Sequence, residues 1–339
     1  KQCFVSGMAS VNNDIRKLAE DESVIYVLIA VILSLIVLSL TMDSALVPFL
    51  FLISIGMAII YNLGSNVIMG EISYITKALA AVLQLGVTMD YSIFLWHSYQ
   101  EQQERFDGDK NRAMAHAISN TITSVVSSSI TTVAGFLALC FMSFTLGLDL
   151  GIVMAKGVVF GVLSTIFILP SLLMFFDKPI EKYKHKTLIH ELKKQPVFVT
   201  KHFKKILIPF VIIFIPFIYG QSHTKTYYDL ISGMPEDFAS IIGTNQLKDK
   251  FDMTTTHFVI VSDELTTSQM QEMSAKIKDL DGINNVISYE EFVGPGVPDS
   301  FKPDAVKEIF ENGGYKLMLV NSEYKSATTE LNTQLDKMD

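Results

Sequence analysis

One acidic residue stands inside a long apolar segment, in the run Gly86-Val-Thr-Met-Asp90-Tyr91-Ser-Ile-Phe94. A charged aspartate at the middle of a bilayer costs about 2.5–3.5 kcal/mol on insertion scales, so it needs a partner, water or a proton. Low-dielectric surroundings favour the neutral carboxyl over the charged one. An acid that can adopt both forms can take up and release a proton, and this is the chemistry that a proton-coupled membrane machine requires.

Helix geometry places polar groups on two adjacent faces of this segment. Gly86 lies one turn before Asp90 on the same face, where it lets a neighbouring helix or water approach. Tyr91 points about 100° away from Asp90, and its face also carries Gln84 and Thr88. We therefore expect the segment to face a helix bundle and not lipid. A later apolar segment is a plausible neighbour, because it carries small and hydroxyl residues at helical spacing: Asn120, Ser124, Ser127, Ser128, Thr131 and Gly135.

Three roles are open to Asp90: a proton relay with Tyr91, an acid paired permanently with a base for folding, or a metal-ion ligand. Lys156 is the basic residue considered as its partner, but depth argues against that pair because Asp90 lies nearer the inner end of its segment. Lys156 then either extends to the membrane surface or pairs with Asp149, two turns away. None of the seven histidines shows ligand spacing with another metal-type residue, so we predict no metal site.

The composition indicates a membrane protein with a soluble part. The 339 residues are 49% hydrophobic and 18% charged, whereas a soluble domain carries about 25% charged residues. Residues 1–220 hold 17 Lys/Arg and 15 Asp/Glu, and residues 221–339 hold 10 and 20. The absence of a basic face outside one short stretch argues against a nucleic-acid partner. Cys140 lies inside an apolar segment and Cys3 in a polar segment before the first span, so we expect no disulfide framework.

Six segments approach the roughly 20 apolar residues that a membrane span requires. They are Val24–Leu40, Leu46–Leu63, Ile75–Trp96, Thr121–Met142, Leu148–Phe176 and Ile206–Tyr219. The stretch Lys178–Lys205 carries nine lysines, so the positive-inside rule places it in the cytoplasm. Counting spans outward from it, residues 98–120 are also cytoplasmic, and the N-terminus and residues 221–339 lie outside.

These patterns divide the chain into five parts. Residues 1–22 end a first outer domain, 23–176 hold five spans, 177–205 form a basic cytoplasmic linker, 206–219 form the sixth span and 221–339 form a truncated outer domain. Apolar residues alternate with lysine and histidine in the linker, which predicts an amphipathic helix at the membrane surface, interrupted at Pro196. A plain basic linker is the alternative.

The outer domain shows strands and helices in alternation, which predicts an α+β domain of the ferredoxin-like kind. A helix begins near Ser268, whose spacing to Gln271 is that of a capping box. The other predicted elements are strands at His257–Val261, Ile283–Tyr289 and Tyr315–Val320, and helices at Pro303–Glu311 and from about Ala327. Neither a phosphate loop nor a dinucleotide fingerprint occurs in the sequence, so we expect no cofactor, with protons as the coupling ion.

The run Gly86–Phe94 resembles the fourth transmembrane helix of MMPL-type transporters, a branch of the resistance-nodulation-division (RND) superfamily, where a Gly-x-x-x-Asp-Tyr signature lies. Other segments are similar to further parts of that family. Phe4-Val-Ser-Gly-Met-Ala with Asp14 resembles the end of its first outer domain. Ser128–Phe136 resembles its fifth helix, Asp149–Pro170 its sixth, and Met234-Pro-Glu-Asp the start of its second outer domain.

The resemblance implies a fragment covering helices two to seven of an RND-like bundle with two pseudo-repeated halves, together with part of a second, porter-type outer domain. Asp90 and Tyr91 match the first of two Asp-Tyr pairs in the family. The implied function is proton-driven export of lipids or other hydrophobic molecules at the cell membrane. The implied partners are the substrate, membrane lipids and the second half of the bundle, and an oligomer is left open.

Two rival functions share these features. One is a protein-export accessory of the SecDF kind, and the other is a sterol-sensing or receptor-like membrane module that does not pump. An intramembrane enzyme would need a second membrane acid or a Ser–His pair, and neither is visible in the six segments. We therefore expect a secondary transporter and not an enzyme.

Overall fold

The computed structural model describes residues 3–185, 194–224, 233–293 and 304–338. The chain forms two compact units. One unit, here called the helix bundle, is Arg16–Ile208. The other, here called the outer unit after the location that the sequence predicts for most of it, combines Lys1–Ile15 with Pro209–Asp339.

Apolar helices account for most of the first 223 residues. The helices are α1 (Met8–Thr41), α2 (Leu46–Gly64), α3 (Tyr74–Arg105), α4 (Lys110–Leu139), α5 (Thr145–Leu163), α6 (Leu169–Phe175), α7 (Asp177–Lys182) and α8 (Lys194–His223). A 3-10 turn at Ser65–Met69 extends α2, and a π-helical turn at Ser164–Ile168 joins α5 to α6.

Six helical stretches among the described residues are long and apolar enough to cross a membrane. They are Met8–Thr41, Leu46–Met69, Tyr74–Arg105, Lys110–Leu139, Thr145–Phe175 and Pro196–His223. The six predicted spans are therefore confirmed. Most of the helices extend beyond the predicted ends, because polar residues outside the apolar core of a span continue the same helix.

The basic segment before the last span differs from the prediction. Within the described residues, the helix α8 (Lys194–His223) continues through Pro196, and the predicted interruption at that residue is not seen. The backbone departs from helical geometry at His202 instead, with φ −120° and ψ 19°. Residues 186–193, which the predicted amphipathic helix includes, lie outside the described residues.

The apolar core of the helix bundle lies where α2, α3 and α6 meet. Its fully buried members include Leu50 and Phe51 of α2, Leu95 of α3, and Leu169 and Leu173 of α6. Because these residues fill the space between the three helices, they fix which face of α3 turns inward.

A buried polar ladder ties α3 to two other helices. The Asn62 amide donates to Gln84 Oε1 at 2.8 Å, and the Gln84 amide donates to the Gly157 carbonyl at 3.0 Å. The Thr88 hydroxyl donates to the Gln84 carbonyl at 2.7 Å. Gly161 of α5 lies directly against the Thr88 side chain. A side chain at Gly161 would therefore push α5 away from α3.

We expect Gly161→Ala to destabilise the helix bundle by about 1–3 kcal/mol, the usual cost of overpacking a core. The added methyl group collides with the Thr88 methyl, and the Thr88 rotamer is held by its hydrogen bond. Adding Thr88→Ser should restore stability, because serine keeps the hydroxyl and removes the methyl. Thermal unfolding in detergent measures both effects. Gly135→Ala is the control, since nothing lies within 4 Å of a side chain built there.

The outer unit is a small sheet with helices. Its elements are α9 (Ala239–Phe251), β1 (Thr255–Ser262), α10 (Thr267–Lys278), β2 (Ile283–Ile287), α11 (Tyr289–Val293), α12 (Asp304–Phe310), β3 (Glu311–Asn312), β4 (Tyr315–Ser322) and α13 (Thr329–Met338). The strand β4 lies between β1 and β2 and is antiparallel to both, and β3 pairs with β4. The parallel strands β1 and β2, joined through α10, form the split β-α-β unit of the predicted ferredoxin-like kind.

The core of this unit lies between α10 and one face of the sheet. Its fully buried residues are Met270 and Ile277 of α10, Val286 of β2, and Met318 and Val320 of β4. The predicted capping box and the predicted end of the second strand are wrong, and α9 and β3 were not predicted. The capping box joins Thr266 and Gln269, not Ser268 and Gln271, because the helix begins two residues earlier. The strand β2 ends at Ile287, so Tyr289 begins a short helix.

The N-terminal segment packs against α9 within the outer unit. The Asp14 carboxylate accepts the Ser240 backbone N–H at 3.2 Å. The hydroxyls of Ser6 and Thr244 are 2.7 Å apart, and Gly243 lies against the Val5 carbonyl. An anionic side chain at a helix N-terminus is favourable because the first N–H groups have no intrahelical acceptor. The contact joins two stretches that are more than 220 residues apart in the chain.

His257 of β1 makes the outer unit sensitive to acid. Burial lowers the pKa of its imidazole below the ordinary histidine value of 6.5, and Nε2 is buried without a partner among the described residues. At acidic pH the His257 imidazole therefore binds a proton more readily in the unfolded chain than in the folded unit. A depressed histidine pKa destabilises the fold as pH falls below about 6.5 and leaves it unaffected above that value.

We expect hydrogen exchange of the β1 and β4 amides, corrected for intrinsic rates, to accelerate between pH 7.5 and pH 5.5 in the intact protein. His257→Gln should flatten this dependence, because glutamine does not titrate. His97→Gln, at an exposed histidine of α3, should leave it unchanged. An equally steep pH dependence in the His257 variant would contradict the assignment.

Candidate functional site

Asp90 lies near the middle of the 32-residue helix α3, on a face that the other helices of this chain leave open. Its side chain is exposed, and its carboxylate has no hydrogen bond or ion pair with any described residue. Gly86, one turn earlier, is also exposed, and nothing described lies within 4 Å of a side chain built there. No described helix packs at Gly86, where the sequence predicted the approach of a neighbouring helix or of water.

The carboxylate faces a groove of about 460 Å³ between α3 and α4. The groove is lined from α3 by Asp90, Tyr91 and Phe94, and from α4 by Ser124, Ser128 and Thr132. The structure thus brings together one acid, one phenol and three hydroxyl side chains inside the spanning segments. Such a set can hold water and exchange a proton with it.

Of the three hydroxyl groups that α4 contributes to the groove, one is hydrogen-bonded within the described chain and two are not. The Thr132 hydroxyl donates to the Ser128 carbonyl at 3.0 Å. The side-chain hydroxyls of Ser124 and Ser128 have no partner among the described residues. These two hydroxyls are therefore available to water or to a second polar group beside Asp90.

The sequence anticipated part of this lining. Ser127 and Thr131 are exposed on α4 but do not line the groove, and the Thr131 hydroxyl bonds to the Ser128 carbonyl at 2.7 Å. Thr132 was missed, although its spacing of four from Ser128 and eight from Ser124 marks a single helical face. Only the polar residues on one face of α4 line the groove beside Asp90.

Tyr91 occupies a different environment from Asp90. It is 7% exposed and packs with Val125 of α4 and Val158 of α5. Its hydroxyl has no partner within the described part of the chain. The Tyr91 side chain therefore anchors α3 against two neighbouring helices, and the residue also lines the groove.

Of the two alternatives that the sequence left for Lys156, the pairing with Asp149 is not formed. The Lys156 ammonium donates to Asn66 Oδ1 at 2.6 Å. The Asp149 carboxylate accepts the Ser73 backbone N–H at 3.0 Å. Asp149 lies in the first turns of α5, beside the start of α3, so its nearest unsatisfied donor is a backbone N–H of that helix.

The surroundings of Asp90 limit the chemistry of the groove. Within the described residues no lysine, arginine or histidine lies at ion-pair distance from its carboxylate. The same residues contain no group of three His, Cys, Asp or Glu side chains that could hold a metal ion. What the groove does contain is an acid without a described partner, together with hydroxyl side chains.

Comparison with known proteins gives the family. Residues 2–188, more than half of the 339, match the model of the MMPL family. The putative membrane protein ActII-3 of Streptomyces coelicolor is 32% identical over 157 residues, covering 44% of this chain and 22% of that protein. The putative membrane protein MJ1562 of Methanocaldococcus jannaschii is 34% identical over 98 residues, covering 29% of this chain and 25% of that protein.

A longer match includes the outer unit. The putative membrane protein YdgH of Bacillus subtilis is 22% identical over 322 residues, covering 88% of this chain and 35% of that protein. The chain therefore spans between about a fifth and about a third of the length of these curated relatives. The family match covers α1 to α7, including the groove and Asp90. Together with six helices able to span a membrane, it shows that this chain is a multi-pass membrane protein of the MMPL family.

Proposed function

We propose that this chain forms part of a transporter that uses the proton gradient to export lipids or other hydrophobic molecules. The observation that carries the proposal is the unpaired Asp90 carboxylate inside a spanning helix, beside a groove with two free serine hydroxyls. A charge at this depth is costly, and no described base offsets it. The remaining ways to lower its energy are water and a proton.

Proton binding changes the balance between two arrangements of the groove. A charged Asp90 favours a hydrated groove, because water solvates the carboxylate. A neutral Asp90 costs much less in dry surroundings, so protonation favours a groove closed by packing. Asp90 would take up a proton from one side of the membrane and release it to the other. Each step shifts the equilibrium between the hydrated and the closed groove, so the two arrangements follow each other in a fixed order.

The groove opens on the exposed face that α3 and α4 form, so its opening and closing would take place on this face. Asp90, Gly86 and Ile130 all lie exposed on these two helices. The family resemblance supplies a second, pseudo-repeated set of helices as the partner for this face. Closure of the groove is then a movement of the two halves toward each other, which the outer domains convert into a movement of the substrate.

We expect Asp90→Asn to abolish proton flux driven by an imposed pH gradient in proteoliposomes containing the intact protein. Asparagine keeps the size of the side chain and cannot carry a proton. Asp90→Glu should retain part of the flux, because a titratable carboxyl remains. A pH-sensitive dye trapped in the vesicles measures the rate.

Asp149→Asn is the matched control, because it removes a second carboxylate from the spanning helices. Its amide oxygen still accepts the Ser73 N–H, so flux should stay within about twofold of the wild type. Full flux in Asp90→Asn would refute the coupling role. No gradient-driven flux in the wild type would favour the receptor-like module, whereas flux accompanied by protein translocation would favour the export accessory.

The groove should be wet in the charged state. With Cys3 and Cys140 replaced by serine, we expect Ser128→Cys to react with a membrane-impermeant thiol reagent, because Ser128 faces the groove. The neighbouring Ser129→Cys should not react, because Ser129 is buried and its hydroxyl bonds to the Val125 carbonyl. Mass spectrometry of the labelled protein compares the two. Equal labelling of both positions would show that the groove is not the accessible space.

A further inference from the structure

Three lysines lie together at the start of the last spanning segment. Lys201, Lys204 and Lys205 belong to α8 and come directly before the apolar run Ile206–Tyr219. At three and four residues from Lys201, the other two are its neighbours on the helix surface, and like charges at these spacings repel each other. All three side chains are exposed, and none has an ion pair with a described residue. An anion beside this lysine cluster would therefore stabilise it.

The helix that carries the lysine cluster supplies no negative charge. The 30 residues of α8 contain four lysines and neither aspartate nor glutamate. The sequence holds no acid from residue 192 to residue 228. The pairs at three and four residues that usually join acids to lysines on a helix are thus unavailable in α8. Any anion that pairs with the cluster belongs to another part of the chain or to another molecule.

Exposed aromatic rings on the same segment favour a lipid over a soluble anion. Phe198 is 58% exposed and Phe203 is 59% exposed, and the apolar stretch of α8 has no buried residue within the described chain. The head-group boundary of a bilayer offers acyl chains to the rings and phosphate groups to the lysines. An acidic protein segment or a free anion would pair with the lysines but leave the rings in water.

The backbone changes direction at the level of the lysine cluster. His202 has φ −120° and ψ 19°, so α8 consists of two helical runs on either side of it. The His202 Nδ1 lies 3.1 Å from the Phe198 carbonyl, which in an uninterrupted helix accepts the backbone N–H of residue 202. This bend allows the run before His202 to lie along the membrane surface while the run after it crosses the bilayer.

We propose that the lysine cluster binds the phosphate groups of anionic lipids in the leaflet predicted to face the cytoplasm. Phe198 and Phe203 then insert beside the acyl chains, and the ammonium groups reach the phosphates because lysine stems extend along apolar surroundings. The contact holds the start of the last span at the head-group boundary. It is separate from the Asp90 groove and does not depend on the proposed transport function.

The test follows the depth of this segment in the intact protein. With Cys3 and Cys140 replaced by serine, the exposed Val199 is changed to cysteine and labelled with bimane, whose emission shifts to the blue in apolar surroundings. We expect a blue shift when phosphatidylglycerol replaces part of the phosphatidylcholine in nanodiscs. The same emission in both lipid compositions would overturn the proposal, and this comparison needs no lysine variant to fold.

Two matched pairs of substitutions separate the lysine cluster from general surface charge. Lys204→Gln with Lys205→Gln should remove most of the shift, because each lysine near an anionic surface strengthens binding about fivefold. Lys204→Arg with Lys205→Arg should retain it. Lys178→Gln with Lys182→Gln removes the same charge from exposed lysines of α7 and should leave the shift unchanged. Equal losses in the two glutamine pairs would overturn the proposal.

Two additions to the phosphatidylcholine nanodiscs test other occupants of the lysine cluster. Inorganic phosphate should leave the bimane emission unchanged, and a blue shift would assign the cluster to a soluble anion. Polyglutamate should also leave it unchanged, and a blue shift would assign the cluster to an acidic protein segment. Either shift would overturn the lipid assignment.

Discussion

A polar side chain inside a bilayer has no bulk water to solvate it, and the helix bundle is organised around that constraint. On the inner face of α3, Gln84 and Thr88 satisfy their hydrogen bonds with α2, with α5 and with their own backbone. On the opposite face, Asp90 has no such partner in the described chain. The same helix thus separates a structural polar face from one whose acid requires water or a proton.

The buried ladder gives the exposed acid its position. Because the Gln84 side chain bridges Asn62 and the Gly157 carbonyl, rotation of α3 would break two buried hydrogen bonds at once. The absence of a side chain at Gly161 lets α5 lie directly against Thr88. These contacts hold Asp90 on the side of α4, so the proposed movement coupled to its charge would take place at the groove and not between α2, α3 and α5.

The sequence predicted the spans, the strands β1, β2 and β4 and the helices α10, α12 and α13, because these elements follow local patterns. Apolar length sets the spans, and alternating burial sets strands such as β1. It also singled out Asp90, since a lone acid is conspicuous in an apolar run. Pairings between distant residues were not readable: Lys156 bonds to Asn66, 90 residues away, and not to Asp149 on its own helix. Which hydroxyls of α4 border Asp90 likewise depends on helix rotation, which tertiary packing decides.

The most direct measurement is infrared difference spectroscopy of the intact protein in lipid vesicles, with and without an imposed proton gradient, and with Asp90→Asn as the spectral reference. The carbonyl stretch of a protonated carboxylic acid is distinct from the bands of an ionised carboxylate. We predict a gradient-dependent change in the carbonyl band of the wild type that the Asp90→Asn variant lacks. Identical difference spectra in the two proteins would contradict the coupling role of Asp90.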